Sequence, residues 1–129
     1  MNVLLSIKPE YVDEILNGNK KYEFRKTIFR RNDIENIFIY STAPEKKIVG
    51  FFKVGKILSE NPKVLWNTLK EHSGIEKEDF FKYFRNKDIG FAIEIRDLRI
   101  LDEPKHLESV YPPQSFCYID YLPELSEDM

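Results

Sequence analysis

At 129 residues the chain has the length of one domain. Hydrophobic residues at 42% and aromatics at 14% are enough to build a sizeable core, which excludes a disordered chain over most of the length. A net charge of −2 argues against a protein that coats nucleic acid indiscriminately, and no apolar run approaches the roughly 18 residues of a membrane helix.

Residues 3–7 are rich in aliphatics, too short for a signal-peptide core, and read as a first strand closed by Lys8-Pro9. Pro9 suits the first turn of a helix, where its missing N–H costs nothing, and Glu10 adds a favourable negative charge there. Val12, Ile15 and Leu16 follow at helical spacing, and Gly18 supplies the left-handed stop. Residues 21–26 then alternate, with Tyr22 and Phe24 on one face and Lys21, Glu23 and Arg25 on the other. That pattern predicts a half-buried strand with a charged outer row. A third strand is expected over 34–40 and a fourth over 48–58, where Gly50 and Gly55 suit the bends that curl a sheet into a barrel.

Asn61-Pro62 opens a second helix carrying Leu65, Trp66 and Leu69, which Ser73-Gly74 ends; a third helix near 76–84 carries Phe80, Phe81 and Phe84. In the long strand expected over 89–101, Phe91, Ile93 and Ile95 share one parity and Leu98 and Ile100 the other. Apolar groups stay inward only if a bulge lies near Arg96 and Asp97. Residues 112–115 form a loop and 116–121 a closing strand. The order β-α-β-β-β-α-α-β-β predicts an α+β fold, a small mixed β-barrel of about five to six strands with two to three flanking helices. One domain is expected over residues 1–122, followed by an acidic, disordered tail over 123–129. Cys117 has no disulfide partner, and His72 and His106 stand at no metal-ligand spacing. Neither metal nor cofactor is expected, and a reducing cytoplasm is the default compartment.

Between residues 20 and 31 stand Lys20, Lys21, Arg25, Lys26, Arg30 and Arg31 against Glu23 alone, which reads either as a solvated face or as the mark of an anionic partner. Within this segment Glu23 and Arg25 project from one strand face about 7 Å apart, while Lys20 is out of phase and must be aimed by the turn. Such a cluster suits a phosphate held by Lys20 and Arg25 and a base N–H accepted by Glu23. A row of surface ion pairs would have the same spacing. Trp66, Tyr22 and Phe116 could stack a base or complete the core. Gln114 and Ser115 could read a ligand edge or make an ordinary turn, and His72 suits a helix end.

Gly18, Lys20, Glu23 and Arg25 together match the GxKxxExR signature, and on these residues the chain resembles the ASCH domain family of PUA-like β-barrels. Residues 5–9, 39–44 and 48–50 add to the likeness, which runs from about Val3 to Tyr121. The resemblance implies a charged cleft beside the barrel, lined by Ser6, Lys8, Lys20, Glu23, Arg25, Ser41 and Thr42. It implies as partner RNA, a nucleotide or a modified nucleoside, with a regulatory role in transcription or translation and no membrane. It also implies an alternative, a small hydrolase using the same cleft as an N4-acylcytidine amidohydrolase or a ribonuclease, with Lys20 and Glu23 as catalytic candidates. In the amidohydrolase type a lysine matching Lys20 works with a threonine and a glutamate. Glu23 stands in the threonine's place, and Glu71 and Glu76 are the nearest candidates for the glutamate.

Overall fold

The computed structural model describes residues 1–107 and 112–120; the expected acidic tail over 123–129 lies outside them. Strands β1 (Asn2–Ile7), β2 (Tyr22–Arg25), β3 (Asn36–Ser41), β4 (Lys47–Glu60), β5 (Gly90–Lys105) and β6 (Phe116–Ile119) form one sheet in the order β2-β5-β4-β3-β1-β6. β1 and β3 pair in parallel and the other neighbours antiparallel. Helix α1 (Pro9–Leu16) joins β1 to β2, while α2 (Pro62–Leu69), a 3₁₀ turn (Lys70–His72) and α3 (Lys77–Tyr83) join β4 to β5.

The local signals act as the residues dictate. Gly18 takes φ +88°, ending α1 in a conformation that L side chains rarely adopt. The Asn61 side chain accepts the Lys63 N–H at 2.9 Å and caps α2. The parity slip in β5 is a bulge: Phe51 pairs with Arg99 and Lys53 with Arg96, so β5 spends one residue more than β4, and Asp97 sits at φ +50°. A second irregularity at Gly55 matches another shift in β4, since a Cβ there would meet the Glu94 carboxylate at 2.2 Å.

Three apolar clusters follow from this sheet. Val3, Leu5, Ile7, Ile37, Ile39, Phe52 and Ile93 fill the concave side with Val12 and Ile15 of α1. Leu4, Phe38, Tyr40 and Ile48 face the other way, with Phe51 and Leu101 packed on them. Phe24 and Ala92 form the third with Leu65, Leu69, Phe80 and Phe84 of α2 and α3. Trp66 and Tyr22 pack on this third cluster, and Phe116 packs on the first with Phe29 at 6.0 Å between ring centroids. All three aromatics therefore serve the core. So does the aromatic face of α2 and α3, where Phe80 meets Phe24, Trp66 and Phe84 at 5.0, 5.1 and 4.9 Å.

The two edge strands do not pair with each other among the described residues, so the barrel stays open along a seam between β2 and the β1–β6 side. Side chains lace that seam. Arg25 of β2 reaches the Ser6 carbonyl on β1 at 3.2 Å and the Ser115 hydroxyl just before β6 at 2.7 Å.

Candidate functional site: a cleft along the open seam

A cleft of about 760 Å³ follows this seam. Its walls come from the end of β1 (Ser6, Ile7, Lys8), the start of α1 (Glu10, Tyr11), β2 and the residues after it (Glu23, Phe24, Arg25, Lys26, Thr27), α3 (Asp79, Lys82, Tyr83) and the loop bearing Gln114 and Ser115. Lys20, Thr42 and Ile75 complete it. Five basic side chains face three carboxylates here, in a chain whose net charge is −2.

The floor is an ion network. Glu23 accepts from Arg25 Nη1 at 2.9 Å through one oxygen, and its other oxygen lies 3.8 Å from Lys20 Nζ. Side-chain exposures are 2% for Lys20, 7% for Glu23 and 11% for Arg25. Of the charged row expected to face outward, Lys21 is exposed, but Glu23 and Arg25 are buried. Period-2 alternation correctly placed Glu23 and Arg25 on one face, but the curl of the sheet covers that face, while α2 and α3 cover the Phe24 side.

Lys20 enters the network as the turn at Gly18 requires, its backbone N–H donating to the Glu14 carbonyl at 2.9 Å. Its ammonium donates to the Ser73 carbonyl at 2.9 Å and lies 4.5 and 5.6 Å from the ring centroids of Phe24 and Tyr11. Gly74 takes φ +61° and presses on this side chain so closely that a Cβ there would lie 2.3 Å from Lys20 Cβ. Burial lowers the proton affinity of Lys20 below that of an ordinary lysine, and the attraction of Glu23 only partly offsets it. Burial also raises the phenol pKa of Tyr11 and of Tyr83, so both hydroxyls are protonated at neutral pH.

The guanidinium of Arg25 is spent on Glu23, Ser6 and Ser115, so it organises the site and leaves little for a bidentate grip on a ligand phosphate. The polar groups that are not spent internally stand on the rim. Lys8, Lys82, Thr27, Thr42 and Gln114 line the cleft, and none makes a side-chain hydrogen bond or ion pair to another described residue.

Of the residues that the sequence singled out, Ser6, Lys8, Lys20, Glu23, Arg25 and Thr42 line the cleft, as do Gln114 and Ser115. Ser41 does not: it is buried at the end of β3, paired with Ile7 and Lys47. Glu71, Glu76 and His72 do not line the cleft but an adjoining hollow of about 480 Å³, which shares Glu10, Tyr11, Ile75 and Asp79 with it. Tyr11, Thr27, Asp79, Lys82 and Tyr83 are cleft residues that sequence reasoning missed. The one available signal was spacing, since Asp79, Lys82 and Tyr83 fall at i, i+3 and i+4 on a single helix face. Among the described residues no group of three or more His, Cys, Asp or Glu side chains could hold a metal ion, and no helix is long and apolar enough to cross a membrane.

A six-stranded curled sheet with three helices, open along a charged seam, defines an ASCH-type barrel. The pattern of the ASCH domain family matches residues 5–99, and the chain belongs to that family. It is similar to the ASCH domain-containing ribonuclease of Zymomonas mobilis subsp. mobilis, 27% identical over 122 residues that span 90% of this chain and 82% of that one. The crystal structure of ASCH from Zymomonas mobilis superposes with a TM-score of 0.85 at 25% identity, covering 98% of this chain and 92% of that chain. A point variant from the same organism gives 0.84 at 25% identity, covering 92% of this chain and 89% of that one.

Proposed function

We propose that the chain is a cytoplasmic RNA-binding module that takes a single strand along the seam. The observation that carries this reading is the cleft itself. It is a groove of mixed polar and apolar lining with a positive balance, rimmed by Lys8 and Lys82, which have no partner among the described residues, and by the Tyr11 and Tyr83 rings, in a chain of net negative charge. Lysines on a groove wall neutralise a phosphate backbone, and aromatic faces accept bases of any identity. The fluorescence anisotropy of a labelled single-stranded RNA tests the reading. Affinity should fall with added salt, with a log–log slope of about −0.7 per phosphate neutralised. It should fall again in the Lys8→Ala and Lys82→Ala variants. An affinity indifferent to salt and to both substitutions contradicts it.

A second reading, RNA cleavage, is favoured by the lowered proton affinity of Lys20 and by the ribonuclease among the relatives. A neutral Lys20 amine would take the proton of a ribose 2′-hydroxyl as that oxygen bonds to phosphorus and the P–O5′ bond breaks. The products are a 2′,3′-cyclic phosphate and a 5′-hydroxyl, which takes up a proton from solvent. Incubation with labelled RNA and, in parallel, with N4-acetylcytidine, followed by chromatography, separates the possibilities. Cyclic-phosphate ends that vanish in Lys20→Met support cleavage, released acetate supports deacylation, and intact substrates leave the binding module.

A further inference from the structure

The loop over residues 112–115 is tied to the floor of the cleft at two points, and one side chain stands between them. The Ser6 hydroxyl donates to the Pro113 carbonyl at 2.6 Å, and the Ser6 N–H donates to the Ser115 carbonyl at 2.9 Å. Arg25 Nη2 donates to the Ser115 hydroxyl at 2.7 Å. Pro112 and Pro113 stiffen the approach by fixing φ. Gln114 is the residue between these anchors. It is exposed, it lines the cleft, and its amide has no partner among the described residues. A backbone held on both sides and a side chain left unbonded make a pre-organised reading group, because its position does not have to be fixed when ligand binds.

The chemistry narrows what such a group reads. The floor is spent internally, since Glu23 holds Lys20 and Arg25 while Lys20 holds the Ser73 carbonyl. The lysines of the rim are point charges that grip phosphate without regard to sequence. Gln114 alone on this loop offers a neutral donor and acceptor side by side, the pair that meets a base edge. A glutamine amide most characteristically pairs with adenine, accepting from the N6 amino group and donating to a ring nitrogen.

We infer that Gln114 is the base-reading residue of the cleft and that it favours adenine. This rests on the RNA-binding reading above and adds base preference to it. The test compares oligoadenylate with oligouridylate of equal length, in anisotropy titrations at one salt concentration, for the wild type and Gln114→Ala. The wild type should favour oligoadenylate by about five- to a hundred-fold, the range that one bidentate contact supplies. Gln114→Ala should bring the two probes to about parity, chiefly by lowering the affinity for oligoadenylate, while the salt dependence supplied by the rim lysines persists. Equal affinities in the wild type, or a preference that survives in Gln114→Ala, overturn the inference and leave RNA binding standing. Failure of the wild type to bind either probe overturns both.

Discussion

Three arginines in this chain each meet a carboxylate two residues away: Arg25 with Glu23 at 2.9 Å, Arg31 with Asp33 at 2.6 Å, and Arg96 with Glu94 at 3.0 Å. Spacing and geometry hardly distinguish them; burial does. The Arg25–Glu23 side chains are 11% and 7% exposed, against 46% and 52% for Arg31–Asp33. The exposed pairs are free to exchange with water and contribute little. The buried one cannot, so it is joined by a third charge, Lys20, and by the Ser6, Ser73 and Ser115 acceptors that satisfy its donors. An identical motif is decoration on one surface and scaffold on another, and what decides is whether the sheet curls over it.

That contrast can be broken in order of expected effect. Glu23→Ala should destabilise the fold by about 3–5 kcal/mol in urea unfolding, because it strands the buried Arg25 and Lys20 without their counter-charge. Gly74→Ala should cost about 2–4 kcal/mol by the same measurement. It combines the strain of a left-handed alanine with overpacking against the Lys20 stem, although it removes no charge. Arg96→Ala, by contrast, should move the unfolding free energy by no more than about 0.5 kcal/mol.

The pH dependence of stability should also separate the buried and exposed charges, by the pH window in which each acts. Burial lowers the Lys20 pKa, so between that lowered value and 10.5 the unfolded chain binds the extra proton and stability rises with pH. Below that window both states are protonated and the cost of burying the ammonium is present in full. The Asp33 carboxyl is held at about 2 against an ordinary 3.8 by its hydrogen bond from Arg31, so its contribution is present above 3.8 and fades as pH falls towards 2. Unfolding free energies measured across both windows should show the alkaline rise disappearing in Lys20→Met and the acid loss shrinking in Asp33→Asn.

Much of this architecture was legible in the residues, and the part that was not has a common cause. Pro9, Gly18, Asn61 and the parity slip at Asp97 act within a few residues of themselves, so chain order was enough to place α1, α2 and the bulge. Alternation put Glu23 and Arg25 on one face, but no local pattern tells which face a distant segment will cover. The charged run over residues 20–31 looked like one feature for the same reason. The fold divides it: Lys20 and Arg25 form the floor and Lys26 lines the cleft, whereas Arg31 pairs with Asp33 and lies over the Tyr118 ring at 5.9 Å. Tyr11, Lys82 and Tyr83 reach the cleft because α1 and α3 approach β2 from separate parts of the chain, which periodicity within either helix cannot show.

The central claim, that the anionic guest lies in the seam rather than along the basic run as a whole, is tested most directly by one paired measurement. Lys82→Glu and Arg30→Glu make the same charge change, the first on the cleft rim and the second outside it. With a labelled single-stranded RNA titrated at two salt concentrations, Lys82→Glu should lose affinity and flatten the salt dependence, while Arg30→Glu should match the wild type. Equal losses in the two variants, or a larger loss in Arg30→Glu, would place the contact outside the seam and contradict the account.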